Sequence, residues 1–317
     1  VARKLRIQYP AAIYHVMNRG DRREPIFCGD HDRQMFLDTL GQACEKTDWL
    51  VHAWCLMNNH FHLVLETPRP NLVDGMKWFL GTYTSRFNRR HKYFGHLFSG
   101  RYKALIVDGS TTGYLKSVCD YVHLNPARAK LLGPADSLTV FRWSSFNEYL
   151  KPPRQRPSWL RVERLLGEWG IPKDSPAGRE HFQRMTETRR MSEDQQLVRK
   201  IERGWCYGSE EFRQELLAQM ETSFGRHHAG SEKQESAQAK AERIVTEELQ
   251  RRKIALEELE QLKKANPLKL KIALRLRQET TMTWDWIAHH LFMGVGAYAA
   301  NSVRAEQNDG QHSKMRD

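Results

Sequence analysis

The chain has no run of about 18 apolar residues and no basic secretory leader, so neither a membrane span nor export is expected. Cysteine is sparse. Cys28, Cys44, Cys55, Cys119 and Cys206 form no Cys-x-x-Cys pair, which argues against a zinc ribbon and a disulfide framework and suggests buried thiols in a cytosolic protein. No internal repeat is evident. Acid is scarce where it matters most: none occurs between Asp74 and Asp108, while Lys77, Arg86, Arg89, Arg90, Lys92, Arg101 and Lys103 all fall there. Across all 317 residues, 50 Lys and Arg stand against 38 Asp and Glu, a formal charge of +12. That excess points to a polyanionic partner, nucleic acid first.

Aromatics are interleaved with the cations of the acid-free window: Phe87, Tyr93, Phe94, Phe98 and Tyr102. Such a mixture can stack on unpaired bases while the cations meet phosphates. It equally suits core aromatics beneath a solvated basic face. Just upstream lies His60-Phe61-His62, within a stretch apolar enough to form a strand. Side chains on a strand alternate between faces, so both imidazoles point one way and Phe61 the other. Two neighbouring imidazoles suit a metal ion, although a His-x-His pair alone is weak evidence in a chain with 14 histidines.

Strands are expected over 12–18, 49–57, 60–66 and 98–107, and helices over 31–46 and 72–91. Met35, Phe36, Leu40 and Ala43 form the apolar stripe of the first helix, and Asn71 is the expected N-cap of the second. Ser110 or Thr111 is expected to cap a third helix through Tyr114, Leu115, Val118 and Tyr121, with a break near Asn125-Pro126. This order fits an α+β fold, an antiparallel sheet with helices packed on one side. Prolines at 152, 153, 157, 172 and 176 suggest a boundary near residue 150, with linker and accessory helices over 151–235.

A mainly helical region is expected over 236–305, before a disordered tail at 306–317. Ile244, Val245, Leu249, Leu256, Leu259 and Leu262 are spaced for packing. Around Trp284 to Val303, two short helices joined at a Gly-containing turn make a helix-turn-helix candidate, although helical hairpins of this length are also common cores. Lys269, Lys271, Arg275, Arg277 and Arg304 are its candidate phosphate contacts.

If helical geometry persists through Asn125, Tyr121 and Asn125 stand at i and i+4 on one face. Tyr114 shares nearly that face, but the residue four beyond it is Val118, which offers a cation no oxygen. Two imidazoles and one amide oxygen would leave positions on Mg²⁺ or Mn²⁺ open for phosphate. A tyrosine needs such help, because a phenol with a pKa near ~10 is a weak nucleophile at neutral pH.

Several stretches in order resemble the single-tyrosine HUH transposases, specifically the REP-associated tyrosine transposases. They are Tyr14-His15-Val16 with Asn18-Arg19-Gly20; Met57-Asn58-Asn59-His60-Phe61-His62-Leu63; His96-Leu97-Phe98 with Gly100-Arg101-Tyr102-Lys103-Ala104; and Tyr121-Val122-His123-Leu124-Asn125-Pro126-Ala127-Arg128-Ala129. The resemblance covers roughly residues 1–150 and implies an HUH nuclease-like α+β domain with the histidine pair on a central strand. It implies that His60, His62 and Asn125 bind the cation and that Tyr121 attacks single-stranded DNA, leaving a 5′-phosphotyrosine and a free 3′-hydroxyl. No nucleotide cofactor would be needed.

The resemblance further implies REP-like hairpin DNA as partner and a bacterial, nucleoid-associated location. Arg3, Lys4, Arg6, Arg101 and Lys103 are the DNA contacts expected on that basis, and Arg86, Arg89, Arg90 and Tyr102 of the acid-free window join them. The C-terminal hairpin looks like a Trp-repressor-like helix-turn-helix. Two other readings are a domesticated binder of structured nucleic acid without productive cleavage, and a metal-dependent hydrolase without a covalent intermediate.

Overall fold

Four segments rich in branched and aromatic side chains, which favour pleated backbone, form the sheet: β1 (Ala12–Arg19), β2 (Leu50–Leu56), β3 (His60–Thr67) and β4 (Lys103–Val107). A computed structural model of the chain describes residues 7–192, 194–224 and 231–313. These strands pair antiparallel, with β3 and β1 at the centre. A fifth strand, β5 (Cys206–Tyr207), pairs parallel with β4 and completes the order β2-β3-β1-β4-β5. Two residues carry too little pattern to announce a strand, so the expected antiparallel sheet is mixed at this edge.

Helices cover both faces of the sheet rather than one. Phe61 packs against Phe36 of α1 (Asp30–Thr47) and Phe79 of α2 (Leu72–His91), with ring centroids 4.9 and 6.4 Å apart. On the opposite face, Tyr121 of α3 (Tyr114–His123) lies 5.4 Å from His15 and 5.7 Å from His62. Nearly every residue of β1, β2 and β3 is buried, so both faces require cover.

Two local departures from the expected pattern have tertiary causes. Asn71 precedes α2, but its side chain makes no cap bond; it accepts from Trp49 Nε1 at 2.8 Å and donates to the Thr47 carbonyl at 2.9 Å. Gly75 gives Trp49 its seat, since a Cβ there would stand 2.1 Å from the indole. The third helix starts at Tyr114, and neither Ser110 nor Thr111 caps it. Its first amides are instead met by the Glu168 carboxylate, which accepts from Gly113 N at 3.0 Å and Lys116 N at 2.9 Å.

The chain divides into two compact units at His227/His228. The proline-rich stretch is therefore part of the first unit: Leu160 bridges in parallel to Val51 at the β2 edge. Helices α4 (Asn125–Arg128), α5 (Phe146–Leu150), α6 (Glu163–Glu168), α7 (Pro176–Met191), α8 (Gln195–Arg203) and α9 (Glu210–Phe224) complete this unit. Phe182 stacks on Tyr149 at 4.9 Å and meets His123 at 6.1 Å, so α7 shares the core of α3.

The second unit is helical: α10 (Ser231–Arg252), α11 (Leu256–Gln261), α12 (Pro267–Glu279), α13 (Trp284–His290) and α14 (Gly296–Ser313). Ile244, Leu259, Ile272, Leu276, Ile287, Leu291 and Val303 fill its core. Helix α14 runs through to Ser313, where a disordered tail was expected from 306. No described helix is long and apolar enough to cross a membrane. Cys44, Cys55 and Cys119 are buried as expected, whereas Cys28 is exposed and Cys206 half-buried.

Candidate active site

Pairing of β1 with β3 places Arg19 opposite His60, Met17 opposite His62 and His15 opposite Val64. Because opposed residues share a face, the two histidines of β3 look out with His15 and Arg19, away from Phe61. His60 and His62 ring centroids are 5.1 Å apart. An open cavity of about 730 Å³ lies over this face, and His60, His62, Tyr121 and Asn125 all line it. Helix α3 stops at His123, but Leu124 keeps right-handed helical dihedrals (φ −83°, ψ −4°), so Asn125 stays on the side of Tyr121. Its amide nitrogen donates to the Tyr121 carbonyl at 3.5 Å. Tyr114 lies elsewhere, edge-on to Tyr207 at 5.0 Å and lining a different cavity.

The imidazoles are held neutral. Burial lowers the pKa of His60 to about 4, with Arg19 adding to the effect. Burial likewise brings His15 down to about 3 and pushes His62 well below its ordinary value, where His15, His60, Arg128 and Arg19 add repulsion. Neutral imidazole is the ligand form.

Tautomers are constrained too. Asn59 Nδ2 donates to the Arg23 carbonyl at 2.9 Å, which turns its Oδ1 to His60 Nδ1 at 2.8 Å. An amide oxygen only accepts, so His60 carries its proton on Nδ1 and keeps the Nε2 lone pair free. His62 Nδ1 lies 2.9 Å from His15 Nε2. When His62 is the donor of that pair, its Nε2 also keeps a lone pair. Two imidazole nitrogens and the amide oxygen of Asn125 thus fit a divalent cation, each histidine having its other nitrogen bonded to a neighbour.

Arg128 sits over the Tyr121 ring at 4.2 Å and donates to the Tyr121 carbonyl at 3.1 Å. Together with Arg19, Arg22, Arg23, Arg101, Lys103 and Arg203 it makes the cavity strongly basic; Glu202 is its one acid among the described residues. Sequence reasoning passed over His15, Asn59 and Arg128 as site residues, although all three lie in the quoted motifs. His15 needed the β1–β3 register, whereas Arg128, seven residues beyond Tyr121 on nearly the same helical face, was within reach of periodicity.

Of the DNA contacts expected from sequence, only Arg101 and Lys103 line the cavity. Arg3, Lys4 and Arg6 fall outside the described residues. Arg86 is taken up between helices, donating to Thr39 Oγ1 at 2.7 Å and Gln42 Oε1 at 2.8 Å. Arg89 and Arg90 stand exposed at the end of α2 behind the sheet, and Arg90 pairs with Asp32 at 3.3 Å. Tyr102, Phe87 and Phe98 are buried and serve the core. In the second unit Lys269 is fully buried, donating to the carbonyls of Leu262 at 2.9 Å and Phe292 at 3.2 Å. Arg275 is held by Glu247, Glu248 and Glu279.

A second set of metal-type side chains, Cys28, Asp32 and His91, brings its ligand atoms within 4.8 Å of one another. Asp32 there already accepts from the Cys28 amide at 2.8 Å and contacts His91 Nε2 at 2.9 Å, which ties α1 to α2.

Residues 8–125 match the family model described as IS200-like transposase. No curated protein matches the chain. A solved structure described as a REP-associated tyrosine transposase bound to a REP hairpin is similar, with a TM-score of 0.40 and 12% identity over 47% of this chain and 84% of that one.

Proposed function

We propose, from the match of residues 8–125 to the IS200-like transposase model, a metal-dependent single-stranded DNA endonuclease and strand transferase whose nucleophile is Tyr121. One observation carries the reading: a single basic cavity gathers His60, His62, Asn125 and Tyr121. His60 Nε2, His62 Nε2 and the Asn125 amide oxygen would hold Mg²⁺ or Mn²⁺. Such an ion, when bound, polarises the scissile phosphate and offsets charge building on its oxygens.

The remaining chemistry belongs to the chain. The Tyr121 oxygen forms a bond to phosphorus as the P–O3′ bond breaks, giving a 5′-phosphotyrosine, and the departing 3′-oxygen takes up a proton. Because the phosphodiester energy is kept in the new ester, a different 3′-hydroxyl can reverse the step and join another strand without a nucleotide cofactor. Arg128, over the phenol ring, stabilises negative charge as the hydroxyl gives up its proton. Arg19, Arg101 and Lys103 meet the phosphates on either side.

REP-like hairpins are the proposed substrate class, on the motif resemblance. The second unit supplies a candidate duplex contact through α13, the turn at Gly294-Val295 and α14, with Val295 of the turn and Tyr298 of α14 exposed. In a cleavage and binding assay on hairpin DNA with single-stranded flanks, His60→Ala should abolish cleavage while retaining most of the affinity, because phosphate contacts dominate binding. Cleavage that survives in His60→Ala would remove the metal site from the scheme. Binding by the wild type without any cleavage would favour a domesticated binding protein.

A further inference from the structure

Most aromatics of the acid-free window are core, but two are not: Phe94 is 98% exposed and Tyr93 57%. A side chain this apolar and this exposed, standing alone, is unremarkable. Here it is held out on a fixed turn. Lys92 takes a left-handed conformation (φ 56°) to end α2, and its amide and that of Tyr93 both reach back to the Asn88 carbonyl. The Asn88 side chain then crosses the turn and donates to the Gly95 carbonyl at 3.0 Å, with Gly95 itself at φ 90°. His91 stacks beneath Tyr93 at 5.8 Å and is anchored by Asp32 at 2.9 Å. The ordering cost of presenting two aromatic rings is therefore met before any partner arrives.

Two further observations say which partner. The turn's own segment carries charge of one sign, with Arg89 and Lys92 exposed and no acid from 75 to 107, while the buried Asp32 is taken up by Arg90 and His91. The segment leaving the turn also leads to the candidate cavity: Phe98 forms an isolated bridge with Gly20, Ser99 N donates to the Arg19 carbonyl at 2.8 Å, and Ser99 and Arg19 both line that cavity. Phe94 and Ser99 are five residues apart, at most about 17 Å of extended chain.

We propose that the Tyr93-Phe94 turn is a stacking site for unpaired nucleobases of the same DNA whose phosphate enters the Tyr121 cavity. Flat rings accept any base, while Arg89 and Lys92 meet the flanking phosphates, the combination used to hold single strands without reading sequence. The site rests on the transposase reading but adds to it a place for bases outside the cavity. It also explains why only two of the window's eight aromatics are exposed, since the other six lie in the core or pack against it.

The test uses the full chain and two probes, a hairpin with single-stranded flanks and a blunt duplex of the same composition, with 2-aminopurine placed at successive flank positions. Tyr93→Ala and Phe94→Ala, both at exposed positions that leave the core intact, should each weaken flanked-hairpin binding about 5- to 150-fold, the equivalent of one lost stack. Blunt-duplex affinity should change little. In the wild type one or two 2-aminopurine positions should be quenched, the quenching should vanish in the variants, and Phe94→Trp should restore it. Unchanged affinity for the flanked hairpin, or an equal loss for the duplex, overturns the proposal. A change in self-association with unaltered DNA binding would assign the turn to protein contacts and overturn it too. Formation of a Tyr121 adduct by the wild type separates the two readings: with an adduct, a negative result sinks the stacking site alone; with neither binding nor adduct, both fall.

Discussion

At the scale of single residues, the proposed cation site depends on side chains that are not among its proposed ligands. Asn59 sets which nitrogen of His60 is free, because its amide is itself oriented by the Arg23 carbonyl. Asn59→Ala should therefore weaken cation binding about 10- to 100-fold, the usual cost of losing such an orienting partner. Titrating cleavage with Mn²⁺ checks this: activity should return at high Mn²⁺, and loss that no concentration rescues would point to misfolding. A different signature comes from buried histidines away from the cavity. Burial lowers the His52 pKa below its ordinary value even though Glu66 lies 3.1 Å away and opposes the shift. Below about pH 6.5 the unfolded chain takes up a proton that native His52 refuses, so stability falls on acidification until the lower native pKa is reached. His52→Gln keeps a donor for Glu66 and cannot titrate. Denaturant melts across pH 4.5–7 should show its stability curve flatter by up to about 1.4 kcal/mol per pH unit over that window.

Individual elements differ in how far the sequence declares them. Strands β1 to β3 and helices α1 and α2 match expectation to within a few residues, because their periodicity is local and strong. The alternation that put both histidines on one face holds. Helix α3 was legible in its apolar positions and illegible at its start, since the Glu168 carboxylate that caps it comes from α6, more than fifty residues on. Glu168→Ala should thus cost about 0.5–2 kcal/mol. As α3 carries Tyr121, it should also lower the cleavage rate more than the affinity for DNA, a split that single-turnover kinetics would reveal. β5 and the Leu160 bridge gave no signal because two-residue pairings are selected by their neighbours rather than by their own composition. Of the candidate site, His60, His62, Tyr121 and Asn125, singled out from spacing and motif, line one cavity. His15 was not, because its role appears only once β1 is laid beside β3.

Over the whole chain, the first unit is longer than its recognisable motifs. The family match ends at 125 and the prolines after 150 suggest a linker, yet Leu165, Leu166, Phe182, Val198 and Ile201 belong to the same core as the sheet. A protein ended at residue 150 would lose these side chains and the α3 cap together. Removing a single core phenylalanine costs about 3–5 kcal/mol, and whole-domain stability is on the order of 5–15 kcal/mol. Residues 1–150 should therefore fail to fold, whereas 1–227 should unfold cooperatively; circular dichroism melts of the two would check this, and a cooperatively folded 1–150 would contradict it. The central claim is tested most directly by incubating 3′-end-labelled hairpin DNA with the full chain and Mg²⁺ or Mn²⁺, then denaturing. Wild-type protein should carry label through denaturation and Tyr121→Phe should carry none. An adduct that persists in Tyr121→Phe, or efficient cutting by the wild type with no adduct, would contradict tyrosine as the nucleophile.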